Sequence, residues 1–236
     1  MVVGHGMLAR AFSAYIDRGD VMIFASGVSN SRETRRQEFE REEQLFRQET
    51  SRWPEATLVY FSTCSILDED LNNTPYVRHK MSMEALASRQ RSFHIFRLPL
   101  VVGCSDNPCT LTNFFYDRLI KQLPITVWEG TERNLIDVQD VYKIASHIIN
   151  NRLMLRQTAN VATPANTRVT DILAMMCSVT GRTSDVTLEK GHQGSRYVID
   201  ISPVRPVMDR LSITFDDKYC FSVLRKYYEN RSPATA

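Results

Sequence analysis

Several features that would assign the chain to a class at once are missing from the sequence. No apolar run approaches the roughly 20 residues of a membrane-spanning helix, and no basic segment followed by an apolar stretch opens the chain. The five cysteines form no Cys-x-x-Cys pair, and the five histidines form no His-x-x-x-His pair. Because disulfide frameworks and metal sites need several such residues that converge, neither is expected. We therefore expect a cytoplasmic protein without a metal ion.

A strong excess of charge of either sign is also absent. The 29 Lys and Arg residues nearly balance the 27 Asp and Glu residues, which gives a formal net charge of +2. A charge this close to neutral predicts neither a nucleic acid nor a membrane surface as partner. The length of 236 residues suits one packed core with a small appended lobe.

Short apolar runs alternate with amphipathic segments, which is typical of β-α units around a parallel sheet. Strands are predicted at 1–4, 21–26, 57–62 and 93–98, and helices at 7–18, 32–52, 76–89 and 216–229. Two further helices are expected, one capped by Asp140 and one that runs from a Thr170 cap to Gly181. The charged segment 32–52 is interpreted as a solvated helix rather than a nucleic-acid surface, because Glu and Arg are interspersed in it.

A glycine motif, Gly4-His5-Gly6-Met7-Leu8-Ala9, lies between the first strand and the first helix. Glycines let a backbone turn tightly and approach a pyrophosphate, and the following helix start offers N–H donors. The motif therefore indicates a phosphate cradle. The alternative is a tight turn without a ligand.

A tyrosine and a lysine, Tyr76 and Lys80, lie four residues apart in the predicted helix 76–89. Positions i and i+4 share a helix face, so the ammonium is expected to lower the pKa of the phenol towards useful acid/base chemistry. The alternative is an incidental pair on an amphipathic helix.

A hydroxyl, that of Thr63, follows the strand 57–62 at the end where parallel sheets bind ligands. It could hydrogen-bond a substrate carbonyl beside the Tyr76 helix. The alternative is a capped loop with Ser and Thr in turn positions.

In this order the three motifs resemble the extended short-chain dehydrogenase/reductase family, the NAD-dependent epimerases and dehydratases of sugar nucleotides. Four further segments carry the resemblance: the strand 20–27 with its Ala-Ser-Gly end, the strand and loop 97–103, and the substrate-side segments 107–114 and 133–141.

The resemblance implies an α/β fold with a Rossmann-like doubly wound parallel sheet. Residues 1–165 would form the nucleotide-binding core, with 103–137 on the substrate side, and 166–236 a small substrate-side lobe. A homodimer would form through the helix 76–89.

The resemblance also implies roles for individual residues. Tyr76 would be the acid/base, Lys80 would hold the cofactor ribose and tune Tyr76, and Thr63 would orient the sugar oxygen. NAD or NADP would lie against Gly4, His5, Gly6, Met7, Leu8, Ala25, Ser26, Gly27, Lys80 and Pro99. The sugar-nucleotide substrate would contact Thr63, Asn107, Thr110 and Arg133.

The chain departs from the family where the adenosine half of the cofactor would bind. An acidic residue is expected about 20 residues after the glycine motif, but the strand 21–26 ends in Ala25-Ser26-Gly27 and resembles the family's fourth strand. We infer that the second and third strands are absent and that the first strand lies near a sheet edge. Two functions stay open: an NAD(P)-dependent reductase or epimerase, and a non-catalytic binding or scaffold protein with weakened dinucleotide binding.

Overall fold

The computed structural model describes residues 1–71, 73–190 and 197–231. Its strands are β1 (Val2–Val3), β2 (Val21–Phe24), β3 (Thr57–Thr63), β4 (Phe93–Leu98), β5 (Leu100–Val102), β6 (Ile125–Trp128), β7 (Glu132–Arg133), β8 (Leu135–Asp137), β9 (Gln157–Asn160), β10 (Thr167–Arg168) and β11 (Val186–Glu189). Its helices are α1 (Met7–Ala11), α2 (Arg36–Arg52), α3 (Pro75–Ala87), α4 (Leu111–Ile120), α5 (Val138–Asn150), α6 (Val169–Thr180), α7 (Arg205–Arg210) and α8 (Tyr219–Tyr228).

A parallel five-stranded sheet in the order β1-β2-β3-β4-β9 forms the centre of the fold. The register between β3 and β4 runs from Leu58 opposite Phe93 to Thr63 opposite Leu98. Within the described residues β1 has β2 as its only sheet neighbour, so it lies at an edge. The predicted α/β class, the Rossmann-like parallel sheet and the edge position of the first strand are confirmed.

Helices cover both faces of this sheet, because successive side chains of a strand point to opposite sides. Val59 and Phe61 of β3 pack on the face covered by α1 and α5, in one core with Ile144 and Ile148. Leu58 and Tyr60 face α2 and α3, where Phe46, Met83 and Ala87 complete a second core. The sheet is therefore buried on both sides, as its apolar strands require.

The first helix is shorter than the predicted 7–18. It ends at Ala11, and a 3-10 turn follows at Ser13–Tyr15. Side chains three residues apart align in a 3-10 turn, and the buried rings of Phe12 and Tyr15 are 6.0 Å apart. Burial of both rings thus explains the tighter winding.

Two predicted helix caps are wrong by two or three residues, while one helix end is confirmed. Asp137, not Asp140, accepts the N–H of Gln139 at 2.8 Å and starts α5. Arg168, not Thr170, is the residue that precedes α6. Gly181 ends α6 in the left-handed conformation, with φ of 63°.

Other element ends differ slightly from the sequence prediction. The strand 21–26 ends at Phe24, and the helix 32–52 begins at Arg36. The last helix is confined to Tyr219–Tyr228.

A separate apolar core lies beyond the sheet, between α4, α6 and α8 and the strand pairs β5-β8 and β6-β11. Its fully buried members include Leu119, Ile125, Ile172 and Leu224. Asn113 of α4 ties Tyr228 and Arg231 to this core, because its side-chain oxygen accepts from Tyr228 at 2.6 Å and from Arg231 at 2.7 Å. In the described parts of the chain, no helix is long and apolar enough to cross a membrane.

Candidate functional site

The ends of four parallel strands meet along one side of the sheet, which we call the carboxyl edge: Gly4 after β1, Ala25–Gly27 after β2, Thr63 of β3 and Pro99 after β4. Ligands of parallel α/β sheets bind at this side. The structure thus brings the predicted glycine loop, the β2 end and the Thr63 hydroxyl to one edge.

The two glycines of the loop after β1 differ in what surrounds them. Gly4 has φ of +124°, and a Cβ there would lie 2.5 Å from the carbonyl oxygen of Ala25. Gly6 precedes α1 without a side-chain cap, and a Cβ there would meet nothing within 4 Å. Gly4 is therefore required by the close approach to β2, whereas the backbone at Gly6 faces open space.

The loop is also tied to the segment that follows β5. The guanidinium of Arg10 donates to the carbonyl oxygens of His5 at 3.1 Å and Cys104 at 2.7 Å. A Cβ at Gly103 would lie 2.6 Å from the sulfur of Met7. Met7 therefore packs against Gly103 of the same chain. Leu8 packs against the apolar core on one face of the central sheet, and the side chain of His5 is exposed. The motif did not reveal the clamp formed by Arg10.

Tyr76 lies at the start of α3, where Thr74 caps the helix by accepting the N–H of Val77 at 3.3 Å. Its ring is buried beside Val28 and Val77, and its phenol lies near the hydroxyl of Thr63, which acts to lower the pKa of Tyr76. Thr63 also donates to the hydroxyl of Ser65 at 3.0 Å. The structure therefore brings the predicted hydroxyl pair together at the carboxyl edge.

Lys80 lies one turn further along α3 and is almost fully buried. Its Nζ lies 3.0 Å from Oε1 of Glu42 and 3.1 Å from the hydroxyl of Tyr60. A second contact with Glu42, 3.3 Å from Nζ to Oε2, engages the third N–H group of the ammonium. A Cβ at Gly27 would lie 2.6 Å from this Nζ, so the β2 end contacts the ion pair directly.

Glu42 of α2 is the centre of a buried group that we call the Glu42 cluster, made up of Glu42, Tyr60, His79 and Lys80. Its carboxylate also accepts the N–H of Val28 at 2.6 Å, the hydroxyl of Tyr60 at 2.7 Å, and a hydrogen bond with the His79 ring at 3.0 Å. Burial opposes ionisation, but the charge of Lys80 and these hydrogen bonds outweigh it and lower the pKa of Glu42 to about 2.

Sequence reasoning does not single out Glu42, because the interspersed Glu and Arg residues of the segment 32–52 predict a solvated helix. That interpretation is wrong for this residue, which has no exposed surface. A signal was present: Glu42 lies three residues after Phe39 and four before Phe46, on the apolar side of the helix. A lone carboxylate in such a stripe needs a buried partner.

The effect of the cluster on Tyr76 contradicts the sequence prediction. Burial raises the pKa of Tyr76 to about 12, the neighbouring Thr63 hydroxyl opposes this rise, and the charge of Glu42 adds to it. The expectation that Lys80 lowers this pKa is therefore wrong. The physical reason is that Glu42 neutralises the ammonium, which lies 6.0 Å from the centre of the Tyr76 ring.

Apart from Thr63, the residues predicted to contact substrate lie in the loop before α4 and on β7. Asn107 donates to the hydroxyl of Ser29 at 3.0 Å, and Thr110 donates to the carbonyl of Asn107 at 3.3 Å, so both hold the loop before α4. Arg133 lies on β7. Burial raises the pKa of the nearby Tyr197 phenol, and the positive charge of Arg133 opposes this rise. Asn113, which the sequence did not single out, fixes the same loop through the carbonyls of Ser105 and Asn107.

Known structures share this architecture across nearly the whole chain. RMD from Pseudomonas aeruginosa, complexed with NADPH, superposes with a TM-score of 0.74 over 98% of both chains at 12% identity. UDP-glucose 4-epimerase from Thermus thermophilus with NAD gives 0.69 over 95% of this chain and 82% of that one at 16% identity. The dTDP-glucose 4,6-dehydratase of Bacillus anthracis with NAD gives 0.68 over 94% and 76% at 14% identity.

No protein-family model and no curated protein sequence matches the chain. The chain therefore shares the fold of these three proteins, here with β1 at the edge of the described sheet.

Proposed function

We propose that this chain is an NAD(P)-dependent reductase or epimerase of a sugar nucleotide, with Tyr76 as its acid/base. The observation that carries the proposal is that Thr63 and Tyr76 lie close together at the carboxyl edge, beside the open loop at Gly6. Proteins of the same fold bind NAD or NADPH and act on sugar nucleotides.

The residues at the edge fit a dinucleotide in two respects. The open space at Gly6 and the uncapped start of α1 suit a pyrophosphate. A ribose hydroxyl would take the place of the longer contact of Lys80 with Glu42, which is 3.3 Å from Nζ to Oε2. When bound, NAD or NADP supplies the hydride acceptor or donor. The segment Ala25–Gly27 and Pro99 line the edge between these two positions.

The chain's own residues would perform the remaining chemistry. Thr63 hydrogen-bonds the reacting sugar oxygen, and Tyr76 transfers a proton at that oxygen. Arg133 has the fork geometry that suits the diphosphate of a nucleotide sugar. Asn107 and Thr110 hold the loop that faces it.

The first experiment is a calorimetric titration of the protein with NADH and with NADPH. We expect saturable binding of one of them, followed by turnover with a keto-sugar nucleotide that Tyr76→Phe abolishes. Tyr142→Phe, on α5 and away from the edge, is the matched control and should keep full turnover. Full turnover in Tyr76→Phe would contradict the assignment.

The second candidate is a non-catalytic binding protein of the same fold. It is favoured by the ion pair that engages Lys80 and by the edge position of β1, which removes a wall beside the adenosine half. This candidate predicts no binding at millimolar cofactor by a folded protein, so the same titration separates the two.

Three further predictions rest on the sequence alone. The division at residues 165/166 and the cytoplasmic location stay predictions. So does the homodimer through the helix 76–89, although Met83 and Ala87 face their own sheet and Met81 is the exposed apolar residue. Light scattering of wild type and of Met81→Glu tests the dimer, with loss of the dimer expected in the variant.

A further inference from the structure

The group with the most unusual surroundings in the described chain is the carboxylate of Glu42. It has no exposed surface, yet five hydrogen bonds from four donors reach it. Two of the donors, His79 and Lys80, come from the helix that carries Tyr76. The position of Lys80 relative to Tyr76 is therefore set from α2, across the space between two helices.

The ion pair changes what Lys80 does to its neighbour. A lone ammonium about 6 Å away would lower the pKa of a phenol by about 2 at an effective dielectric constant of about 20. With Glu42 at 3.0 Å from Nζ, the two charges oppose each other at Tyr76. Burial is then the largest effect on the pKa of Tyr76, and it favours the neutral phenol.

In the described parts of the chain, no other charged side chain near Tyr76 supplies the positive potential that Lys80 loses by pairing with Glu42. The titratable groups that face Tyr76 or the ion pair are Glu42 from α2, Tyr60 from β3, Cys64 from the turn after β3, and His79, Lys80 and Glu84 from α3. Glu84 is in turn paired with Arg97 at 2.7 Å. Among the described residues, the cations near Tyr76 are thus each matched by a carboxylate.

We propose that Glu42 is a positioning residue that neutralises Lys80 and so keeps Tyr76 a proton donor, which suits the site to reducing a keto sugar rather than to oxidising an alcohol. This inference rests on the proposed function. Epimerisation that begins by oxidising the sugar needs a proton acceptor at this position, and a phenol that stays protonated is a poor one.

The reductive step balances with the groups named. The carbonyl carbon of the sugar receives a hydride from the reduced nicotinamide dinucleotide, and the C=O π bond opens. The carbonyl oxygen receives the phenol proton of Tyr76, so one C–H and one O–H bond form. A secondary alcohol and the oxidised dinucleotide are the products, and the phenolate regains its proton from water.

The test begins without cofactor, by NMR titration of the protein labelled with ¹³C at the tyrosine Cζ. The signal of Tyr76 is assigned by its loss in Tyr76→Phe. In the wild type we expect this signal to stay that of a phenol up to pH 11. In Glu42→Gln, which keeps the side-chain shape, we expect the midpoint to fall by about 1 to 3 pH units, the effect of a neighbouring opposite charge.

Two further variants separate charge from structure. The double variant Glu42→Gln/Lys80→Met removes both charges, so its midpoint should return towards that of the wild type. Glu43→Gln, an exposed neighbour paired with Arg47 on the same helix, should leave the midpoint unchanged. An unchanged midpoint in Glu42→Gln, or a fall of equal size in the double variant, would overturn the proposal. If Glu42→Gln does not fold, a wild-type midpoint below pH 10 overturns it.

The loaded protein gives the second readout. Reduction of a keto-sugar nucleotide by the wild type should hold its rate from pH 7 to pH 10, while the reverse oxidation should rise about tenfold per pH unit. Oxidation faster than reduction at pH 7 would overturn the inference. Absence of turnover in both directions, with the expected tyrosine titration, would reject the proposed function but leave the charge role of Glu42 established.

Discussion

Replacement of each glycine in the loop after β1 by alanine tests whether one is structural and the other serves a ligand. At Gly4 an alanine must adopt φ of +124° and place its Cβ 2.5 Å from the carbonyl oxygen of Ala25. The backbone conformation costs about 1–3 kcal/mol and the overpacking about another 1–3 kcal/mol. The sum, about 2–6 kcal/mol, is a large part of the 5–15 kcal/mol typical of a folded domain.

Gly6→Ala is the matched variant two residues away. A Cβ there meets nothing within 4 Å, so we expect its free energy of unfolding to stay within about 0.5 kcal/mol of the wild type. If a pyrophosphate binds against this backbone, the same methyl group should weaken dinucleotide binding at least tenfold.

Urea unfolding monitored by circular dichroism measures the first effect, and calorimetric titration with NADH or NADPH measures the second. The expected pattern is a destabilised Gly4→Ala and a stable Gly6→Ala that binds cofactor poorly. Equal stability losses in the two variants would refute the structural argument. Unchanged cofactor affinity in Gly6→Ala would refute the assignment of the open space to a ligand.

Three other outcomes follow from buried groups. Lys80→Met leaves the carboxylate of Glu42 buried without a counter-ion and should cost about 3–5 kcal/mol in urea unfolding. Burial lowers the pKa of His94 to about 4, so the ring in the folded protein is neutral near pH 7. Its contribution to stability is therefore complete above pH 6.5 and is lost as the pH falls towards 4. In His94→Leu, the free energy of unfolding should lose this pH dependence, which amounts to a change on the order of 3 kcal/mol across that window. Asn113→Ala removes the acceptor of Tyr228 and Arg231 and should cost about 1–3 kcal/mol, with faster proteolysis of the chain end.

Each of these three variants has a control variant at an exposed position. Lys121→Met removes an exposed ion pair with Asp117 and should change stability by less than about 1 kcal/mol. His5→Leu, at an exposed histidine, is the control for His94→Leu. Asn151→Ala should not alter proteolysis of the chain end. A control variant that matches its buried counterpart would contradict the reasoning for that pair.

Local patterns in the sequence were enough for the first four strands and for six of the helices, in their order along the chain. Alternating apolar runs predicted the strands β2, β3 and β4, and β4 has the predicted bounds of 93–98. The absence of an acidic strand end after the glycine motif predicted that β1 lies at a sheet edge, as it does. The spacing of Tyr76 and Lys80 placed both on the buried side of α3, because side-chain direction along a helix is a local property.

Only the tertiary structure decided how those side chains are charged and paired. Glu42 and Lys80 are 38 residues apart, and no local pattern shows that they form an ion pair at 3.0 Å. The helix bounds at Met7–Ala11 and the cap at Asp137 likewise depend on what packs against them. The pKa of Tyr76 follows from burial and from the neighbouring carboxylate, both of which arise when α2 and α3 pack on the same sheet face. Electrostatic interactions depend on distance in space and on exclusion of water, and the sequence alone specifies neither.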